Sequence, residues 1–159
     1  MIKLKTEWQQ LATMKMAFWK NGSGKDLLLL HGNSGSKKTF GKYQLEHFTD
    51  FHTFALDSRG HGQSQSNDAL LTYEQQSIDV IEFCKARSMR DVSVIGYSDG
   101  GILGLWLAVK APEIFSKIVS ISPNTVASAS TEGFVTFVDK TLKTMHFFRK
   151  LGFPVKKQI

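Results

Sequence analysis

A serine lies between two glycines in the stretch GYSDG at residues 96–100. The apolar run before it is typical of a strand, and the run ILGLWLAVKA after it is typical of a helix. A serine at a tight turn from a strand to a helix has an exposed hydroxyl that can attack a carbonyl carbon. The backbone N–H of Asp99 lies in the first turn of this helix, facing the place where an oxyanion would form. We therefore predict that Ser98 is a nucleophile.

A second glycine-containing loop, HGNSG at residues 31–35, follows the apolar run DLLLL. The backbone N–H of Asn33, or alternatively that of Ser34, can supply a second donor to the oxyanion. His31 lies at a strand end before a tight turn, where a hydrogen-bonded histidine with a structural role is commoner than a catalytic base. We interpret His31 as structural.

The same loop has an alternative interpretation as a nucleotide-binding loop. Residues 32–39 read GNSGSKKT, which is close to the pattern G-x-x-x-x-G-K-[ST] between a strand and a helix. Lys37 stands where such a loop needs a glycine to turn its amides towards a phosphate. We therefore predict no nucleotide, no other cofactor and no metal ion.

The chain alternates between strand and helix patterns. Strands are predicted over 14–20, 26–32, 51–57, 91–97 and 117–123, and helices over 37–48, 72–87 and 100–111. The apolar side of the first helix would consist of Phe40, Tyr43, Leu45 and Phe48. This order predicts an α/β fold, a doubly wound and mostly parallel sheet with helices on both faces. The loops HGNSGS, DSRGHGQS and GYSDGG would then meet at the carboxyl ends of the strands, where ligands bind in such sheets.

Length and composition restrict the class of protein. The 159 residues suffice for one domain, and with no signal peptide and no apolar run of membrane-spanning length visible, we expect a cytoplasmic protein. A single cysteine, Cys84, fits a reducing compartment.

The charge of the chain is concentrated in its last part. Residues 1–139 contain 14 basic and 14 acidic side chains, so the net charge of +6 comes from the six basic residues that follow. A basic tail on a neutral body argues against a nucleic-acid partner. Binding of the basic, aromatic stretch 134–157 to a membrane surface is an alternative, but most amphipathic helices pack on a core, so we expect no membrane partner.

Four stretches together resemble the α/β-hydrolase superfamily: LLLLHGNSGS, LDSRGHGQS, VIGYSDGG and P-E-x-F-x-K-I-V-x-I-S-P. They occur in the order and at the spacing of that family, over roughly residues 14–124, and the S-D-G-G elbow resembles that of small bacterial-type hydrolases. The resemblance implies that Ser98 is the nucleophile and that the backbone N–H groups of Asn33 and Asp99 form the oxyanion hole. It also implies that the RGHGQS loop is structural, so that His61 is not the base.

The resemblance also implies a catalytic acid and a histidine after Ser98, in that order. His146 is the one histidine there, and Asp139 precedes it by seven residues in a stretch with helical periodicity. Seven residues of helix separate two side chains by about 10 Å, too far for a hydrogen bond. We therefore expect the acid and the histidine to be absent, with residues 1–124 forming the N-terminal part of the core and residues 125–159 starting a helical cap.

Two functions follow from these expectations. The first is a serine hydrolase that acts on small carboxylic esters or related acyl compounds, impaired by the missing acid and histidine. The alternative is a noncatalytic remnant or interaction protein that dimerises through an open sheet edge, because the strand KIVSIS would lack its next neighbour.

Overall fold

A computed structural model describes residues 4–66 and 71–123 of the chain. Its strands are β1 (Glu7–Gln10), β2 (Met14–Asn21), β3 (Lys25–Leu30), β4 (Phe51–Leu56), β5 (Gln65–Ser66), β6 (Val92–Tyr97) and β7 (Phe115–Ile121). They form one sheet in the order β1-β2-β4-β3-β6-β7, with β5 beside β2. The run β4-β3-β6-β7 is parallel, and the pairings of β2 with β1, β4 and β5 are antiparallel.

Helical segments connect the parallel strands. A 3-10 helix over Lys37–Phe40 leads into α1 (Gly41–Glu46), and α2 (Tyr73–Ala86) and α3 (Asp99–Lys110) follow later in the chain. The Thr72 hydroxyl caps α2 by accepting a hydrogen bond from the backbone N–H of Gln75 at 3.1 Å. The α/β class predicted from the sequence is confirmed, with a parallel centre and an antiparallel edge.

Helical residues cover both faces of the sheet. The four leucines Leu27–Leu30 of β3 are all buried, and successive side chains of a strand point to opposite faces. Leu28 and Leu30 belong to the cluster that includes buried side chains of α2 and α3, whereas Leu27 and Leu29 pack with Phe40. The central position predicted for this strand follows from its continuous apolar run.

The segment 37–48 differs from the single helix that its apolar spacing predicts. It divides into the 3-10 helix and α1, and Tyr43 is 50% exposed while Gln44 is fully buried. The Gln44 side-chain nitrogen donates to the Thr53 hydroxyl at 3.1 Å, and the Gln44 backbone carbonyl accepts from the Asn21 side-chain nitrogen at 2.8 Å. These bonds to β2 and β4 offset part of the cost of burying a polar residue, which an apolar pattern does not predict.

Strands β1 and β5 were not predicted from the sequence. β1 has the sequence EWQQ, in which alternate residues are only half-buried, and it pairs antiparallel with β2 at the edge of the sheet. β5 is two residues long.

The predicted boundary at residue 124, the cap over 125–159, and the pair Asp139 and His146 lie outside the described residues. Within the described residues, no helix has the length and apolar character needed to cross a membrane.

Candidate active site

Ser98 occupies a sharp turn between β6 and α3. Its backbone has φ 54° and ψ −118°, a conformation that side-chain-bearing residues rarely adopt. The Ser98 N–H donates to the Ile121 carbonyl at 2.8 Å, and the Ser98 carbonyl accepts from the Gly101 N–H at 2.8 Å. Both backbone groups are therefore engaged, and the strand-to-helix turn predicted for this serine is present. The Ser98 side chain makes no capping hydrogen bond to α3.

Glycine at positions 96 and 100 lets the turn pack against the sheet. A Cβ atom at Gly100 would lie 2.1 Å from the Leu30 carbonyl oxygen, and one at Gly96 would lie 2.1 Å from the Gly100 oxygen. Both distances are far below van der Waals contact. Any side chain at these positions would therefore push α3 away from the end of β3.

The loop after β3 contacts the serine turn directly. A Cβ atom at Gly32 would lie 2.9 Å from the Ser98 Cβ and 3.1 Å from the Tyr97 carbonyl oxygen. The Gly35 N–H donates to the Gly32 carbonyl at 3.0 Å, which closes a four-residue turn with Ser34 at φ 57°. The N–H of Asn33 takes no part in this bond, and Asn33 is exposed.

Asn33 and Asp99 line one cleft, together with His31, Gly32, Ser58, His61, Gln76, Gly100 and Leu103. Asp99 is the first residue of α3, and the first turn of an α-helix leaves its N–H groups without intrahelical partners. The two residues predicted to donate to an oxyanion are thus brought together at the carboxyl ends of β3 and β6.

The two histidines in this region have different hydrogen-bond partners. His31 is buried; its Nδ1 lies 2.7 Å from the Gly32 carbonyl oxygen, and its Nε2 accepts from the Ser58 N–H at 3.1 Å. These partners fix the neutral tautomer with the proton on Nδ1. Burial lowers the pKa of His31, an effect larger than that of its backbone hydrogen bond. His31 therefore has no free lone pair, consistent with the structural role predicted for it.

His61 lies beside His31, with ring centroids 5.1 Å apart. Its Nδ1 lies 3.0 Å from the Arg59 carbonyl oxygen, and its Nε2 is buried with no hydrogen-bond partner among the described residues. Because a carbonyl only accepts, the proton is on Nδ1 and the lone pair on Nε2 is unoccupied.

The phenol of Tyr73 lies beside Asp99. Burial raises the pKa of Tyr73 to about 12, and the charge of Asp99 and a side-chain hydrogen bond to it act in the same direction. Tyr73 therefore stays protonated and donates to the Asp99 carboxylate, which ties the first residue of α2 to the first residue of α3.

A buried ion pair between Lys37 and Asp57 is the feature of this region that sequence reasoning missed. The Lys37 ammonium lies 2.5 Å from one carboxylate oxygen of Asp57, and the Lys37 backbone N–H donates to the other at 2.6 Å. The Lys37 backbone N–H, one of the amides that a phosphate-binding loop would direct at a ligand, is therefore bound to Asp57, which argues against the nucleotide interpretation. A lysine directly after a glycine loop and an aspartate at the end of a buried strand were the available signals.

Residues 26–156 match the family described as the alpha/beta hydrolase fold. The chain belongs to the α/β-hydrolase family. The chain is similar to the "Probable alcohol acetyltransferase" of Cyberlindnera jadinii, with 37% identity over 62% of this chain and 28% of that protein. It is also similar to the sn-1-specific diacylglycerol lipase ABHD11 of Xenopus laevis, with 29% identity over 80% of this chain and 41% of the relative.

The fold of the chain matches solved structures as well. A marine microorganism esterase superposes with a TM-score of 0.60 at 30% identity, over 73% of this chain and 41% of the esterase. The chain spans between 28% and 41% of the length of the curated relatives described above.

Proposed function

We propose that this α/β-hydrolase uses Ser98 to cleave carboxylic esters or related acyl compounds. The observation that carries the proposal is the strained turn of Ser98, with its Cβ packed against the Gly32 turn. A positive φ at a non-glycine residue is maintained only where the surrounding structure demands it, and such residues concentrate at active sites. The esterase and lipase chemistry in the names of the similar proteins supports the same reaction class.

In the proposed reaction, the Ser98 oxygen attacks the carbonyl carbon of the ester and loses its proton to a base. The negative charge that develops on the carbonyl oxygen is stabilised by the N–H groups of Asn33 and Asp99. When the carbonyl re-forms, the alcohol departs with a proton and leaves an acyl group on Ser98. Water, or an acceptor alcohol, then attacks the acyl group and regenerates the serine.

The base of this reaction is not assigned to His31, because the Ser58 N–H occupies its Nε2 lone pair. The family resemblance argues against His61, but its Nε2 has no partner among the described residues. His61 and the histidine at position 146 are therefore the two rings to compare. His61→Gln and His146→Gln are each measured beside His31→Gln, which serves as the control. The base is the histidine whose replacement abolishes turnover while Ser98 is still present.

The experiment that tests the proposal is labelling of the purified chain with a fluorophosphonate, followed by hydrolysis of p-nitrophenyl acetate. We expect one labelled site, Ser98, and no label in Ser98→Ala. Ser122 is the matched control, because it also follows a strand, is exposed and has φ 50°. Ser122→Ala should label like the wild type. A folded chain that is not labelled, or that is labelled equally in Ser98→Ala, contradicts the proposal.

A second candidate function is self-association without catalysis. Among the described strands, β7 has one neighbour, β6, and its side chains Val119 and Ile121 are 52% and 43% exposed. An exposed apolar edge strand can pair with a strand of another chain. Sedimentation of Ser98→Ala separates the two functions, because association through β7 does not need the serine hydroxyl.

A further inference from the structure

The Lys37 ammonium is buried at the end of the loop that carries Asn33. Lys37 is 2% exposed and its partner Asp57 is fully buried. The ammonium also contacts the Trp19 ring, at 5.6 Å from the centroid. A buried lysine is retained at a desolvation cost, and a buried ion pair often gives no more stability than apolar residues of similar volume. Stability alone therefore does not account for the buried pair of Lys37 and Asp57, and its role lies in the segments of chain that it connects.

Asp57 is surrounded by donors from two loops. Besides the two bonds from Lys37, its carboxylate accepts the Gln63 N–H at 2.8 Å. The Lys37 ammonium in turn donates to the Gln63 side-chain oxygen at 2.9 Å. Gly62 has φ 56° and lies so close to Asp57 that a Cβ atom at this position would be 2.2 Å from the carboxylate. Lys37, Asp57 and Gln63 thus close a ring of hydrogen bonds between the loops after β3 and β4.

This ring fixes one end of the loop that would stabilise the oxyanion. The start of the loop is Gly32, in contact with the serine turn, and its end is Lys37, which follows Gly35 by two residues. Asn33 lies between these two attachments and is exposed. The position of its N–H relative to Ser98 therefore depends on where the two ends are held.

We propose that Lys37 is a positioning residue for the oxyanion hole, acting through its ion pair with Asp57. The proposal rests on the role of Asn33 in the proposed function. Three hydrogen bonds from two loops to one carboxylate restrict both the direction and the distance of the loop, which apolar contacts do not. An oxyanion donor contributes roughly 100-fold to 1,000-fold to the rate only when it is correctly aimed.

The test compares Lys37→Met/Asp57→Asn with Arg59→Met/Asp79→Asn. The first variant removes both buried charges and keeps the Asp57 side-chain oxygen as an acceptor. The control removes a second ion pair of matching burial, with Arg59 Nε 2.8 Å from Asp79, which connects the loop after β4 to α2. Two readouts are used: the rate of fluorophosphonate labelling, and the nuclear Overhauser effect between the Gly32 Hα and Ser98 Hβ protons.

We expect the Lys37 variant to label at least 10-fold more slowly and to lose the Gly32–Ser98 effect, while the control stays within twofold at a comparable loss of thermal stability. A folded Lys37 variant that keeps both the labelling rate and the proton contact overturns the proposal. So does one that labels normally after the contact is lost. If the wild type is not labelled, the proposed function fails, and the proton contact alone decides whether Lys37 positions the loop. If the double variant does not fold, Asp57→Asn decides: it removes the charge that pairs with Lys37 and keeps a side-chain oxygen as an acceptor, and an unchanged labelling rate and proton contact overturn the proposal.

Discussion

Replacing Ser98 by glycine is expected to stabilise the protein while removing the nucleophile. The serine has φ 54° and ψ −118°, and such a conformation costs roughly 1 to 3 kcal/mol in a residue with a Cβ atom. Glycine adopts it without that cost but loses about 0.4 to 1 kcal/mol through the greater freedom of the unfolded chain. The hydroxyl makes no capping bond to α3, so its removal costs the helix little.

At the middle of both ranges, the expected net gain of Ser98→Gly over Ser98→Ala is about 1.3 kcal/mol in the free energy of unfolding. For a chain of this size, that corresponds to a melting temperature higher by roughly 3 to 5 °C. Ser98→Ala is the matched control because it loses the same hydroxyl and keeps the Cβ atom. Both variants should lose fluorophosphonate labelling.

Thermal unfolding followed by circular dichroism, together with urea denaturation, measures the difference. A glycine variant no more stable than the alanine variant would mean that the turn holds no strain at this residue. The backbone of Ser98 would then lack the strain on which its assignment as a nucleophile rests, and the proposed function would lose its main support. A gain in stability accompanied by retained labelling would show that another serine reacts.

Three further predictions concern the surroundings of the turn. Gly100→Ala should destabilise the chain by about 3 kcal/mol, the upper range for overpacking, because its Cβ would meet the Leu30 carbonyl oxygen at 2.1 Å; an unchanged urea midpoint contradicts the packing. Burial lowers the pKa of His31 from 6.5, so the unfolded chain binds a proton before the folded chain does, and stability should fall as the pH drops below about 6.5. His31→Gln should weaken this dependence in urea titrations at several pH values. Val119→Lys should shift any dimer seen by sedimentation towards monomer, because it places a charge on the exposed edge of β7; a dimer of equal affinity locates the interface elsewhere.

The serine turn could be predicted because its determinants are close together in the sequence. The run before Ser98, the flanking glycines and the apolar helix after it all lie within about 20 residues. A Cβ atom at Gly96 would lie 2.1 Å from the Gly100 carbonyl oxygen, so the identity of Gly96 is set by a clash within the turn itself. The mostly parallel sheet with helices on both faces followed from the same alternation of local patterns.

Other features could not be predicted because they depend on partners distant in sequence. The burial of Gln44 depends on the Thr53 hydroxyl and on the backbone of β2, and an apolar pattern favours Tyr43 at this site instead. From its neighbours in the sequence, Lys37 was interpreted only as a residue that does not fit a phosphate-binding loop. Its actual partner, Asp57, is twenty residues away and comes beside it only when β3 and β4 pair.

The loop after β4 holds the loop of Asn33 at two places. Its Ser58 N–H binds the ring of His31 just before the turn, and its Asp57 binds Lys37 just after it. Asn33 lies between these two attachments. A backbone N–H can stabilise an oxyanion only if it does not have to reorganise during the reaction, and an exposed turn held at one end would reorganise. In the proposed reaction, the position of the Asn33 N–H therefore depends on a neighbouring loop, which makes Asp57 and Ser58 at the end of β4 as important to the proposed site as the turn that carries Asn33.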